Sequence, residues 1–356
     1  MTIELLARPE IRELSPYQTA KRVANTVRLN ANEAPSPPGG GATASGLNRY
    51  PEIRPARLHE RLASHYGVTQ EKLLATRGSS EAIDLLVRAF CRSGRDSIVV
   101  TPPTFSMYRV YADVQGARTL QVPLLAGNDF SLDAAAVIKT CCADTKLIFI
   151  CSPNNPTGGV VPHRSVIELA EARRNRSLIV VDEAYAEFSG EPSATALLPD
   201  YDNIVVLRTL SKALSLAGVR CGAVLANPPV IRLLDSILAP YALSTPVVEC
   251  VLEALSASGT QSSRDTIERT IQERGRVGRT LAAMPQVRKV WPSRGNFLLV
   301  RFRDLKSVQE RLQQARILIR DFGDIGGLGH CARITIGNPE ENDLLLSALS
   351  EVPEEN

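Results

Sequence analysis

The sequence has no long apolar run, no paired-cysteine spacing, no histidine cluster and no block of like charge, and each absence removes a class of function. Apolar stretches such as 147–151 and 204–207 fall far short of the roughly 20 residues that a bilayer-crossing helix needs. The seven cysteines are odd in number and irregularly spaced, include the adjacent Cys141 and Cys142, and form no CxxC. That pattern points to a reducing cytoplasm, with thiols acting as small buried apolar groups. Four histidines, His59, His65, His163 and His330, make neither an HExxH motif nor a Cys/His cluster, so no metal site is expected. The net charge is +3 with Lys and Arg dispersed, which argues against nucleic acid as a partner and remains compatible with a small anionic substrate. Residues 1–17 alternate acidic, basic and apolar side chains without a basic n-region and an apolar h-region, so no secretion signal is read there and a soluble protein is expected. No GxGxxG follows the first expected strand, which weakens a dinucleotide-binding reading.

What is present is material for a large core: 356 residues, 44% of them apolar. There is no internal repeat, and the one shift in composition is a Pro/Gly/Ser-rich stretch at 35–46 that reads as a loop. Short β-rich runs at 72–76, 97–101, 119–122, 147–151, 178–181, 204–208 and 222–226 alternate with helical stretches that include 81–91, 164–173 and 230–238. Alternation of this kind predicts an α/β fold with a mostly parallel seven-stranded sheet. From about Pro246 the pattern changes to helices at 247–257 and 264–283, strands at 287–290, 297–301 and 333–336, and helices at 305–315 and 342–349. The expected organisation is an arm over 1–45 packing on the small domain and on a dimer partner, a large domain over 46–245 and a small α+β domain over 246–356.

In open α/β sheets ligands bind beyond the carboxyl ends of the strands, which gives priority to the residues just after each one. Arg77-Gly78-Ser79-Ser80 opens a helix, where backbone N–H groups and hydroxyls suit a phosphate, although a serine ahead of a helix is ordinarily just its cap. The turn 151–158 carries Asn155, a planar donor and acceptor, and could equally be an ordinary Asx turn. Asp182 ends a buried strand and therefore calls for a cationic or donor partner, with Tyr185 three residues on. Lys212 follows another buried strand among Thr209, Ser211 and Arg220. There, desolvation and nearby cations would lower an amine toward the reactive neutral form, and the hydroxyls and guanidinium would suit a doubly charged phosphate. A lysine taken alone is usually just solvated, but the four positions together describe one site.

Ser152-Pro-Asn-Asn-Pro-Thr-Gly158, Asp182-Glu-Ala-Tyr185 and Ser211-Lys212, followed by Gly218-Val-Arg220-Cys-Gly222, resemble in order the fold-type I pyridoxal-5'-phosphate (PLP) aminotransferases. The resemblance spans almost the whole chain. The segments 29–33, 47–51, 88–91, 102–108, 208–213, 239–246 and 333–337 are most similar to the histidinol-phosphate aminotransferase family.

That resemblance implies a homodimer with shared active sites, in which Lys212 holds PLP as a Schiff base and shuttles the proton between Cα and C4'. It implies that Asp182 pairs with the pyridine nitrogen, Asn155 and Tyr185 hold the ring oxygen, and Tyr108 stacks on the ring. The phosphate would fall to Gly78, Ser79, Ser80, Thr209, Ser211 and Arg220, with Tyr50 reaching the neighbouring subunit's cofactor. Arg333, Arg320, Tyr17 and Asn155 would bind substrate, with L-histidinol phosphate and 2-oxoglutarate giving imidazole acetol phosphate and L-glutamate. An aromatic aminotransferase and a threonine-phosphate decarboxylase are the rivals on the same scaffold, and a non-catalytic PLP-binding regulatory module is the rival from a different class. Phe105, where relatives often have tyrosine, and Ser80, where they often have an acid, are departures that remove possible hydrogen bonds.

Overall fold

The computed structural model describes residues 3–17, 26–37, 46–323 and 327–352. Seven strands form the larger sheet: β1 (Leu73–Thr76), β2 (Ser97–Val100), β3 (Arg118–Gln121), β4 (Thr145–Cys151), β5 (Leu178–Asp182), β6 (Ile204–Thr209) and β7 (Gly222–Ala226). Their order is β1-β7-β6-β5-β4-β2-β3, and β7 alone runs antiparallel to its neighbours. All seven coincide with the runs expected from sequence to within about two residues.

Side-chain alternation sorts the sheet into two buried faces. Ile148, Ile150, Val181 and Val206 pack under the helices Ala56–Tyr66 and His163–Ala172, through Leu58, Leu62, Val166 and Leu169. Leu147, Phe149, Val180 and Leu207 pack under Gly78–Phe90 and Pro228–Ile237, through Ile83, Leu86, Val230 and Leu234. With both faces covered, the central strands read as continuous apolar runs. Helices Ala56–Tyr66, Met107–Gln115 and Ala134–Thr140 were not among the sequence expectations. The first was legible, since Leu58, Leu62 and Tyr66 recur at a helical spacing of four.

The second sheet has the order β10-β11-β9-β8, antiparallel throughout, from β8 (Val287–Val290), β9 (Phe297–Phe302), β10 (Arg320–Asp321) and β11 (Cys331–Thr335). Leu298, Val300, Phe302, Ala332 and Ile334 face the helices Ala257–Ala282, Leu305–Gln314 and Pro339–Ser350. The long helix starts seven residues before the expected 264, because the Ser256 side chain accepts from Gly259 N at 3.2 Å and caps it there. Pro339–Ser350 likewise starts early, on a reciprocal cap between Asn338 and Glu341. The opposite face of this sheet turns Trp291, Leu299 and Cys331 toward Leu124 and Phe130 of the larger sheet's domain.

The expected packing of the N-terminal arm on the small domain is corrected for its first segment. Ile3, Leu6, Ala7 and Ile11 are buried with Phe90 and Leu234 of the helices on the seven-stranded sheet, and Arg8 N donates to Ala89 O at 2.9 Å. The driving feature is an apolar stripe on an otherwise charged segment, which covers the exposed flank of Pro228–Ile237. Tyr50, further along, stacks on Tyr241 with ring centroids 4.6 Å apart.

A buried ion cluster lies beneath the ends of β5 and β6. Arg208 donates to Glu183 at 3.2 Å and Glu187 at 2.7 Å, and its guanidinium lies over the Tyr66 ring at 4.8 Å. Glu183 also accepts from Ser193 Oγ and Ala194 N, both at 2.6 Å. Removing one partner from such a cluster leaves charge buried without compensation, so Arg208→Ala is expected to cost about 3–5 kcal/mol in urea unfolding. A loss below about 1 kcal/mol would mean that water replaces the guanidinium freely.

Candidate active site

The carboxyl ends of β1 and β6 converge on the start of β7, where Gly222 pairs with both Thr76 and Thr209. A Cβ on Gly222 would lie 2.6 Å from Arg208 O and 2.9 Å from the carbonyl carbon of Gly78, so only glycine lets these three segments meet. Gly78 has φ +77°, and a Cβ there would come within 2.9 Å of Arg220 Nη2. The guanidinium therefore lies against bare backbone at the first turn of the helix Gly78–Phe90. Arg220 also donates to Ser211 Oγ at 3.1 Å, and Thr209 Oγ1 donates to the same oxygen at 3.0 Å. Together with Ser79 and Ser80, these groups form a cup of N–H, O–H and guanidinium donors at a helix N-terminus, the chemistry a phosphate dianion requires.

Beyond the cup opens a cleft of about 150 Å³, lined among others by Phe105, Asn155, Asp182, Tyr185 and Lys212. Asp182 is buried at the end of β5; Ala184 N donates to one carboxylate oxygen at 3.1 Å and the Tyr108 hydroxyl to the other at 2.7 Å. Burial raises its carboxyl from 3.8 to about 6. Asn155 Nδ2 donates to the Tyr185 hydroxyl at 3.3 Å, while Asn155 Oδ1 accepts from Arg333 Nη1 at 2.5 Å. Lys212 Nζ stands 5.8 Å from the centre of the Tyr185 ring. Its amine is lowered from the usual lysine range by burial and then by the positive charges of Arg333 and Arg220.

Arg333 reaches the cleft from β11 of the second sheet. Cross-strand partners share a face, and Arg333 pairs with Leu299 on one side and Arg320 on the other. Both guanidinia are therefore carried on the face turned to the larger sheet, and burial first, then the charge of Arg320, lowers the basicity of Arg333. Phe297, two residues before Leu299, lies edge-on to Tyr185 at 5.1 Å and beneath the Arg333 guanidinium at 5.6 Å.

Gly78 opens the helix whose first turn forms the cup, and the structure brings Ser79, Ser80, Asn155, Asp182, Tyr185, Thr209, Ser211, Lys212 and Arg220 around this one cleft, with Arg333 bonded to its edge. Arg320, Tyr17 and Tyr50 are exposed and stand outside the lining; the two tyrosines are 68% and 49% accessible. The expected stacking role of Tyr108 is corrected. Its ring is fully buried, face-on to Phe149 at 4.7 Å, and its hydroxyl is committed to Asp182. The aromatic ring that lines the cleft is Phe105, edge-on to Tyr108 at 5.6 Å. Phe105, Cys151, Ala184 and Ala217 also line the site without having been expected there as site residues. The strand-end rule would have found Phe105, because it follows β2 after a Pro-Pro turn.

The raised Asp182 carboxyl has a measurable consequence for stability. The acid has a higher folded value than its ordinary 3.8, so the folded state binds its proton more tightly, and stability falls as pH rises from about 3.8 to about 6. Above that window the penalty is about 3 kcal/mol in the protein without a bound cation. Asp182→Asn removes it, so the cofactor-free variant is expected to resist urea better than the cofactor-free parent at pH 7–8, with the gap narrowing toward pH 5. A pH-independent difference between the two would contradict the assignment of a strained charge at Asp182.

Residues 16–349 match the family model for aminotransferase class I and II. A histidinol-phosphate aminotransferase from Aeromonas salmonicida is 41% identical over 355 residues, covering 99% of both chains. One from Stenotrophomonas maltophilia is 44% identical over 350 residues, covering 97% of this chain and 96% of the relative. Among solved structures, the Sinorhizobium meliloti histidinol-phosphate aminotransferase in complex with pyridoxal-5'-phosphate superposes with a TM-score of 0.78 at 26% identity, over 87% of this chain and 84% of that one. A cleft that sets a donor cup, a buried carboxylate and a depressed lysine around one space, and near-full-length likeness to these proteins, agree: the chain belongs to the class I and II aminotransferases, in their histidinol-phosphate aminotransferase branch.

Proposed function

We propose that this chain transfers the amino group of L-histidinol phosphate to 2-oxoglutarate by ping-pong exchange, giving imidazole acetol phosphate and L-glutamate in histidine biosynthesis, with PLP as cofactor. The observation that carries the reading is the depressed amine of Lys212 in one cleft with the buried Asp182 and the donor cup of Arg220, Ser211 and Thr209. The residues fit PLP on their own chemistry. Among the described residues no cation offsets the charge of Asp182, and the cup has more anion donors than internal acceptors. Bound there, PLP supplies an electron sink that lets the Cα–H bond of an amino compound break heterolytically.

The chain's own groups then divide the work. Asp182 would keep a proton on the ring nitrogen, and Asn155 and Tyr185 would hold the ring oxygen, while Gly78, Ser79, Ser80, Thr209, Ser211 and Arg220 would hold the phosphate and Phe105 would wall the ring. Lys212 would be the anchoring amine, and its Nζ, when free, would be the base that takes the proton from the substrate Cα and returns it. A lowered basicity serves both roles, because a neutral amine is the form that attacks and the form that accepts a proton.

Arg333 and Arg320, presented side by side from β11 and β10, hold the substrate phosphate, and Tyr17 assists them. Two adjacent guanidinia match a dianion better than a lone carboxylate, which favours a phosphorylated amine over an aromatic amino acid. The working unit is a homodimer in the cytoplasm, with Tyr50 reaching the phosphate of the neighbouring subunit's cofactor. Support for the dimer comes from the exposed apolar side chains Val27, Leu29, Leu47 and Tyr50, which a second copy would cover. The large and small domains divide near residue 245, ahead of the helix Thr245–Ala254. The test is a product assay with L-histidinol phosphate and 2-oxoglutarate, following glutamate and carbon dioxide. Stoichiometric glutamate without carbon dioxide supports transamination, and carbon dioxide release would replace it with a decarboxylase.

A further inference from the structure

Tyr108 is spent on no step of the reaction described above, yet it is a fully buried polar side chain bonded to an acid that lines the cleft. Its ring is fully enclosed between Phe149, face-on at 4.7 Å, and Phe105, edge-on at 5.6 Å. Its hydroxyl donates to Asp182 Oδ2 at 2.7 Å, and the backbone N–H of Ala184 occupies Oδ1. An ionised carboxylate has about four lone-pair positions, so two remain to face the cleft that Asp182 lines.

We propose that Tyr108 is a positioning residue that holds the Asp182 carboxylate ionised and in one rotamer, so that its remaining lone pairs meet the cofactor's ring nitrogen. This rests on the PLP reading of the cleft. Two geometrical facts carry it. The phenol is locked by aromatic contacts on both sides, so the hydroxyl cannot swing away from the carboxylate. The same clamp includes Phe105, the ring that lines the cleft, so one rigid unit sets both the aromatic wall and the acid. The titratable groups facing Asp182 are few: Tyr108, Cys151 beside it in register on β4, Glu183 and Tyr185 on its own loop, and Lys212 across the cleft. Cys151 and Tyr185 are themselves pushed up by burial and stay neutral, which leaves Tyr108 as the closest side-chain donor that stabilises the charged acid.

The experiment compares the parent, Tyr108→Phe, Asp182→Asn and the double variant, each with and without PLP. Tyr108→Phe keeps the shape of the ring and removes one hydrogen bond to a charged acceptor, so PLP dissociation, read by its absorbance on dialysis, is expected to weaken on the order of tenfold. In the cofactor-free protein the decline of urea stability with rising pH should extend to higher pH, because an acid without its donor stays protonated longer. Both effects should vanish when Tyr108→Phe is made in the Asp182→Asn background. The same loss of PLP affinity in both backgrounds would mean that the phenol acts through packing and would overturn the proposal, as would PLP affinity and pH profiles that superimpose on the parent's. If the parent itself binds no PLP, the cofactor reading fails before the role of Tyr108 is reached.

Discussion

Replacing Lys212 with alanine should lower turnover by at least about 10⁴-fold, because the one side chain expected both to anchor the cofactor and to carry the proton is gone. The variant should keep the fold. Lys212 lies in the turn after β6, makes no ion pair among the described residues, and is depressed by burial and then by two arginines rather than held by an acid. PLP should still occupy the cup through Arg220, Ser211 and Thr209 but leave completely on denaturation after borohydride treatment, whereas the parent retains it covalently. An alanine variant with more than about 1% of parental turnover would require another general base, and Tyr185 is too firmly held in its neutral form to serve as one.

The second large effect concerns the paired arginines. Arg333→Gln should reduce kcat/KM for histidinol phosphate by about 100-fold, the scale of one lost charge-assisted contact to a dianion together with the unseating of Asn155. Arg320→Gln should be selective. It removes the cation that stands beside Arg333 in the cross-strand register, so histidinol phosphate should lose on the order of tenfold in kcat/KM while glutamate, with its carboxylates, loses less. Steady-state kinetics with both donors gives the comparison. Equal losses for the two donors would place Arg320 outside the phosphate subsite.

Much of this architecture was legible before any coordinates, for a physical reason. A parallel sheet covered on both faces writes its strands as unbroken apolar runs, and 147–151 and 204–208 could scarcely be anything else. The residues following those runs were the first candidates for the site, because ligands of open α/β sheets bind beyond the carboxyl ends of the strands. What sequence could not supply was direction. Tyr108 and Phe105 both follow β2, and nothing in their spacing says which ring faces the cleft and which turns its hydroxyl to Asp182. That is decided by tertiary packing against Phe149, a residue 41 positions away from Tyr108. Helix starts slipped for a related reason: Ser256 and Asn338 cap their helices through single side-chain contacts, which override the apolar periodicity that marked later starts. The first segment of the N-terminal arm packs elsewhere than expected because its short apolar stripe would fit either part of the chain, and the flank of Pro228–Ile237 is where it is buried.

The central claim is that one cleft exchanges an amino group with a phosphorylated amine, and a single-turnover absorbance titration tests it most directly. The PLP-loaded protein is mixed in turn with L-histidinol phosphate, L-phenylalanine and L-glutamate, and the conversion of the cofactor to its pyridoxamine form is followed. Rapid conversion by histidinol phosphate at far lower concentration than by phenylalanine is the predicted result. Equal conversion by phenylalanine would make the protein a general aromatic aminotransferase, and no conversion by any of the three would contradict transamination itself.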